Sequence, residues 1–255
     1  MTDSWQRLRR FTPARIGLGR AGAGILTAET LRFKLAHAQA RDAVRAGLAL
    51  GSFLPSLSPL AGKPILLHSA ARNRSEYLRR PDLGRCLDAI SRERLQLLES
   101  PVVDVALVIV DGLSALAIEK NAAPFLEYFL GLAGTWQLAP ICVVQAGRVA
   151  VGDEIGQLLQ ARCVVVLVGE RPGLSSPDSM GIYLTFAPQP GLTDEKRNCI
   201  SNVHAAGLSH PAAARKLAYL IGESLRRKIS GVDLKDDLPL ESMAASVQGL
   251  IPNKG

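Results

Sequence analysis

Two stretches carry the residues best placed for chemistry: Asp111-Gly-Leu-Ser114, and GERPGLSS from Gly169 to Ser176. Each follows an apolar run, at 102–110 (broken once, by Asp104) and at 163–168. In open α/β sheets, ligands bind just outside the carboxyl ends of the strands, and loops there collect binding groups. Asp-Gly and Pro-Gly are also ordinary turn pairs, so two tight turns with no ligand remain an equal reading. The other reactive residues do not assemble a catalytic set. No GxSxG elbow accompanies the serines. His37 and His68 stand alone, and His204 and His210 are six apart, so paired metal ligands are missing. Asp153 and Glu154 open an expected helix, where carboxylates favour the N-terminal end of the dipole. Gly17, Gly19, Gly22 and Gly24 have the density of a dinucleotide loop, but no apolar strand precedes them.

The elements that would position these loops follow from periodicity. Val102 to Val110, Ile141 to Val144, Cys163 to Val168 and Gly181 to Phe186 read as strands, with a shorter one at 64–68. Continuous β-branched runs alternating with helical stretches indicate a parallel sheet covered on both faces. Thr27 is placed to cap a helix over 28–46, with Leu31, Leu35, Ala38 and Asp42 along one face. Pro55, Pro59 and Pro64, with Gly51 and Gly62, make 47–64 a loop or seam. Asp82 is placed to cap a helix running to Leu98, along which Leu83, Leu87, Ile90 and Leu97 recur. Further helices are expected at 153–160 and from Pro211 to about Ile229, the latter closed by Gly231. The expected fold is α/β and doubly wound, with a mainly parallel sheet and an N-terminal helical appendage. The divisions are 1–63 (extended segment and helix), 64–237 (α/β domain) and 238–255 (C-terminal tail).

Composition narrows the class. The 255 residues are 47% hydrophobic and 21% charged, as in ordinary globular chains. No apolar run is long enough to span a bilayer, and the N-terminal stretch has no apolar signal region, which predicts an intracellular protein without a membrane anchor. Cys86, Cys142, Cys163 and Cys199 include no CxxC pair, so free thiols rather than a zinc cluster are expected. The net charge of +7 invites a nucleic-acid reading, but recognition motifs are absent. A basic surface facing an acidic partner or an anionic ligand is the alternative favoured here.

The block 202–207, NVHAAG, approximates the Asp-x-His-x-x-Gly pattern with which some cobalamin proteins place a histidine on cobalt. Asn202 stands where the pattern has aspartate. Asparagine can orient an imidazole but cannot supply the charge that raises its basicity, so His204 is expected to serve as a local hydrogen-bond partner.

Six blocks then occur in order: RRPDLGR from Arg79, DGLS from Asp111, GRV from Gly147, VGERPGL from Val168, RNCISN from Arg197 and SGV from Ser230. In order and spacing, from about Ala14 to Val232, the chain resembles the ethanolamine ammonia-lyase light chain (small subunit). The resemblance implies a subunit of an adenosylcobalamin-dependent carbon–nitrogen lyase, active only with a heavy chain. That enzyme converts ethanolamine to acetaldehyde and ammonia by a radical route. The heavy chain is a TIM barrel that supplies most of the substrate contacts. The cofactor lies between the two chains with its own base on cobalt. The family's cofactor contacts map onto Val149, Glu170 and Cys199, whose residue types are retained here. No catalytic group and no protein metal ligand are expected in this chain. The resemblance also implies a cytoplasmic hetero-oligomer, held in a bacterial microcompartment where the organism has one.

Overall fold

The computed structural model describes residues 4–12, 14–98 and 101–237. The chain opens with a short helix, α1 (Ser4–Leu8), and a two-stranded ribbon, β1 (Arg20–Ala21) and β2 (Gly24–Ile25). Two helices follow, α2 (Thr27–Arg45) and α3 (Leu50–Ala61). Then come β3 (Ile65–His68), α4 (Arg74–Arg79), α5 (Ala89–Gln96), β4 (Val103–Val110) and α6 (Ala115–Leu132). The order continues with β5 (Cys142–Gln145), α7 (Val151–Leu158), β6 (Ala161–Gly169), β7 (Met180–Phe186), β8 (Arg197–Val203) and α8 (His210–Arg227).

Six strands form one mixed sheet in the order β3-β5-β4-β6-β7-β8. The β3–β5, β5–β4 and β4–β6 pairings are parallel, whereas β6–β7 and β7–β8 are antiparallel. β4 shows why the centre reads as an unbroken apolar run. Val105, Leu107 and Ile109 enter a core with Phe125 and Phe129 of α6 and Leu217 of α8. Ala106, Val108 and Val110 enter a second core with Leu95 of α5 and Ile155 of α7. Side chains alternate between faces at a period of two, so burial on both faces leaves no polar position from Val105 on; Asp104, near the strand's start, is only half-buried and pairs with Arg162. Each large aliphatic side chain so buried contributes about 1.5 to 3 kcal/mol.

Three of the five pairings are parallel, so the sheet keeps a mainly parallel body, and an antiparallel β6-β7-β8 meander makes it mixed on one side. Three other expectations give way. The expected loop at 47–64 contains α3, with Pro55 and Pro59 inside it. Phe53 and Leu57, one turn apart and buried with Leu48 against the sheet's core, outweigh the backbone cost of the prolines. The helix expected from Asp82 is a single 3-10 turn, Leu83–Arg85, followed by α5. Asp88, not Asp82, caps α5, accepting from the Ser91 amide at 2.7 Å. On this stretch Leu87 is buried, but Ile90 and Leu97 are exposed. The polar segment from Arg197, to which the sequence assigned no strand, is β8.

Two caps differ as well. Leu26 precedes α2 without a side-chain cap, and the expected Thr27 is already helical. α8 ends at Lys228 in the left-handed region (φ 60°), three residues before Gly231. The division at 238–255 lies outside the described residues.

Candidate functional site

A cleft of about 350 Å³ opens over the carboxyl ends of β4, β5 and β6. The parallel register places Val110 beside both Val144 and Val168, so the three strands end level. The turns beyond them must then share a small space. Gly112 sits at φ +57°, and a Cβ there would fall 2.3 Å from the Gly169 carbonyl oxygen. A Cβ on Gly169 would reach the Ser114 carbonyl oxygen at 2.0 Å. Only glycine permits this backbone-on-backbone approach, which the Leu113 amide seals by donating to the Gly169 carbonyl at 2.9 Å. Ser114 caps α6 through the Ala117 amide and also donates to the Pro177 carbonyl.

Gly112 and Leu113 line the cleft from β4, and Arg148, Val149 and Ala150 from β5. Gly169, Glu170 and Arg171 follow from β6, facing Tyr77, Arg85, Tyr183 and Asp194. Val149 is half-buried and packs on the second core. Glu170 is held at both ends. Its amide donates to the Ser179 carbonyl at 3.0 Å, and its Oε2 accepts from Ser179 Oγ at 2.5 Å. A Cβ on Gly181 would lie 2.9 Å from Oε1, so that glycine keeps room for the carboxylate.

Cys199 lies on β8 directly opposite Tyr183 and is not in the cleft wall. Its cross-strand neighbour Tyr183 does line the wall. Partial desolvation, and then the charge of Glu170, hold the thiol above its ordinary pKa, with Tyr183 and Lys216 pulling it down. The structure thus brings Val149 and Glu170 into one wall and leaves Cys199 one side chain behind it.

Beneath the wall is a cluster whose association the sequence did not signal, although Asp111 opens the DGLS block and Arg148 lies in GRV. Asp111 is buried, accepts from the Gly147 amide at 3.3 Å and lies 3.5 Å from Arg74 Nη1. Arg74 also donates to the Gly112 carbonyl at 2.7 Å and to the Val44 carbonyl at 2.8 Å. The guanidinium groups of Arg74 and Arg148 lie over the Tyr77 ring, 4.9 and 4.8 Å from its centroid. Burial pushes the Tyr77 hydroxyl up to about 12, against the pull of Arg148 and Arg74, so it stays protonated near neutrality. Arg74 Nη2 and Arg148 Nε are buried donors without a partner within the described chain. A buried donor left unmade costs about 1 to 3 kcal/mol, which favours a ligand or neighbour that accepts from it.

The residues read from sequence as helix-dipole carboxylates do more than that. Asp153 forms a bidentate pair with Arg197, both contacts at 2.7 Å, with side chains 1% and 2% exposed. Arg197 also donates to Thr185 Oγ1 and to the Leu192 carbonyl. Glu154 accepts from the Leu87 amide at 2.8 Å and from Arg92 Nε at 2.5 Å. His204 is buried. Its Nδ1 accepts from the Ala206 amide at 3.3 Å, so the proton sits on Nε2, which donates to Asn202 Oδ1 at 2.9 Å. Both ring nitrogens are engaged inside the 202–207 turn. Among the described residues, no group of three or more His, Cys, Asp or Glu is placed to hold a metal ion. No helix among them is long and apolar enough to cross a membrane.

Sequence reasoning named Val149 and Glu170 but passed over Arg85, Arg148 and Arg171, although each lies in a quoted block. Tyr77 and Tyr183 had no signal.

Comparison with known proteins places this geometry in context. The family model described as "Ethanolamine ammonia-lyase light chain (EutC)" matches residues 2–235. An ethanolamine ammonia-lyase small subunit of Xanthomonas campestris pv. campestris is 52% identical, covering 98% of this chain and 96% of its own length. The small subunit of Azotobacter vinelandii is 52% identical, over 97% of this chain and 93% of its own. That of Ralstonia nicotianae is 54% identical, over 93% and 91%.

Proposed function

We propose, from the premise that the chain belongs to the ethanolamine ammonia-lyase light-chain family, that its cleft holds part of adenosylcobalamin against a heavy chain. The assembled hetero-oligomer deaminates ethanolamine to acetaldehyde and ammonia, with ethanolamine bound mainly by the heavy chain. When bound, the cofactor supplies the radical chemistry that a protein lacks. The observation that carries the reading is the meeting of GRV and GERPG in one wall: Val149 and Glu170 come from different strand ends and line the same cleft. The orphaned Nε of Arg148, a residue of the cleft wall, fits a ligand rich in amide and phosphate oxygens. A cleft of about 350 Å³ is at the small end for a drug-sized ligand, so a corrinoid would overfill it and need a second chain to cover the rest.

Each side chain then has a task in binding and orientation. Val149 gives an apolar contact. Glu170, fixed by Ser179, accepts hydrogen bonds from amide or hydroxyl donors of the cofactor. Arg85, Arg148 and Arg171 donate to its oxygens. Tyr77, protonated and wedged under two guanidiniums, acts as a neutral floor. Cys199 contributes a soft contact beside Tyr183 where the ligand extends beyond the wall. His204, with both ring nitrogens engaged in its own turn, would not be a ligand to the cofactor. The complex is cytoplasmic, or encapsulated where the organism builds microcompartments.

The test is co-purification with the heavy chain and an ethanolamine deamination assay with and without adenosylcobalamin. Activity only with both chains and the cofactor supports the reading. Turnover by this chain alone, or turnover that ignores the cofactor, sinks it.

A further inference from the structure

The whole excess charge of this protein lies in one segment that the fold leaves uncovered. The chain has 30 Lys and Arg against 23 Asp and Glu, and residues 4–45 hold nine of the former and two of the latter. That leaves 21 of each sign elsewhere, so the body is neutral and the N-terminal arm carries the net +7. The arm is apolar as well as basic. Leu31 and Leu35, one turn apart on α2, are each 60% exposed, as is Ile25 on the ribbon before it. Of the 19 residues of α2, only Ala40 and Ala43 are buried, both in its last two turns. A helix whose first half buries nothing is marginal in water, because packing supplies most helical stability in proteins. The sequence periodicity of Leu31, Leu35 and Ala38 marks a contact face, but among the described residues both leucines stay largely exposed.

Two hydrogen bonds tie the arm beside the cleft. Arg15 Nη2 donates to the carbonyl of Leu174, in the loop that follows Glu170. The Val44 carbonyl, at the end of α2, accepts from Arg74, whose guanidinium lies over the cleft residue Tyr77. A chain that closes over the cleft is therefore carried onto the arm.

We infer that α2 and the ribbon before it are a docking surface for the heavy chain, through Ile25, Leu31 and Leu35 set among basic side chains. The surface they fit is an apolar groove rimmed by acidic residues. The inference rests on the subunit reading above and adds where the partner sits. Opposite charge speeds and orients such an encounter, and the leucines supply the desolvated centre.

The experiment uses the full chain and the purified heavy chain. The double variant Leu31→Asp, Leu35→Asp is compared with wild type for circular dichroism, thermal unfolding and association. The expected result is an unchanged free chain and an association weakened at least a hundredfold. Wild-type association should also weaken as sodium chloride rises. Hydrogen exchange on the wild type needs no variant: amides of the first half of α2 should exchange fast in the free chain and become protected in the complex. Equal association of variant and wild type, or equal protection in free chain and complex, overturns the inference. It is also overturned if the free wild type sediments as a dimer that the variant makes monomeric, which assigns the surface to a second copy. Pelleting of wild type but not variant with phosphatidylglycerol vesicles overturns it in favour of an anionic membrane. A wild-type chain that never binds the heavy chain refutes the subunit reading itself, whereas a variant that binds normally refutes only this docking surface.

Discussion

Arg197 and Arg148 are both drawn out of water by the same sheet, and they differ in what they find there. Arg197 meets Asp153 through two contacts of 2.7 Å, then Thr185 and the Leu192 carbonyl. Arg148 stacks over Tyr77 and keeps a buried Nε with nothing to donate to. Its neighbour Arg74, only 3.5 Å from the buried Asp111, likewise keeps Nη2 unmade. Buried polar groups in native proteins are nearly always paired, and the exceptions mark places where something else arrives. The Asp153–Arg197 pair is a closed unit that fastens α7 to β8. The Arg74–Asp111–Tyr77–Arg148 cluster is open, and it opens at the cleft. We assign the first to the fold and the second to binding.

The largest expected effect comes from breaking the closed pair on one side. Arg197→Met leaves Asp153 buried without its partner, and such losses cost about 3 to 5 kcal/mol. Thermal unfolding of the free chain should drop by many degrees, and adding Asp153→Leu should recover much of the loss. If Arg197→Met unfolds like wild type, the pair is not a fastener.

Arg148→Met is expected to do the opposite. It removes a donor that the free chain leaves unmade, so apo stability should stay level or rise slightly. Cofactor affinity of the assembled complex should fall by about tenfold to a hundredfold, the worth of a charge-assisted hydrogen bond. Calorimetric titration of the complex reads this directly.

Glu170→Ala should weaken cofactor binding by about 1 to 3 kcal/mol while the apo unfolding midpoint holds, since among the described residues its carboxylate's hydrogen-bond partner is the nearby Ser179 hydroxyl. A fallen midpoint with unchanged affinity would move Glu170 from the open cluster to the closed one.

The smallest effect is chemical. Burial holds Cys142 at about 12 and Cys163 at about 11, so iodoacetamide should spare both until the chain unfolds. Cys199 is exposed but its pKa is raised, so at pH 8 it should react more slowly than a free cysteine, and faster as pH climbs. Heavy chain plus cofactor should protect it; unaltered labelling in the full complex would remove Cys199 from the site.

The same contrast explains what the sequence made legible. β4 and β6 announce themselves because double-sided burial leaves unbroken apolar runs. The cleft loops were legible because short blocks at strand ends carry their own turn residues, and Gly112 and Gly169 fix the close approach. β8 was not legible, since in RNCISNV only Arg197, Ile200 and Val203 are buried, every third position rather than every second, and the polar remainder at a sheet edge reads as loop. α3 hid behind Pro55 and Pro59, whose local preference loses to the burial of Phe53 and Leu57. Both arginine clusters were invisible for a further reason. Asp153 and Arg197 are 44 residues apart, Arg74 and Asp111 are 37 apart, and no local periodicity couples such positions. Only the folded sheet tells which charge is closed and which is left open.

The most direct test follows ligand-induced stabilisation in the complex of this chain with its heavy chain. The thermal midpoint is measured for wild type and Arg148→Met, each with and without adenosylcobalamin. Ligand binding to the native state raises the midpoint by an amount that grows with the logarithm of ligand concentration over Kd, so at one fixed concentration a weaker binder gives a smaller rise. The account predicts equal midpoints without cofactor and a clearly smaller cofactor-induced rise in the variant. A lower midpoint without cofactor, together with an undiminished rise on adding it, would show that Arg148 holds the fold and not the ligand.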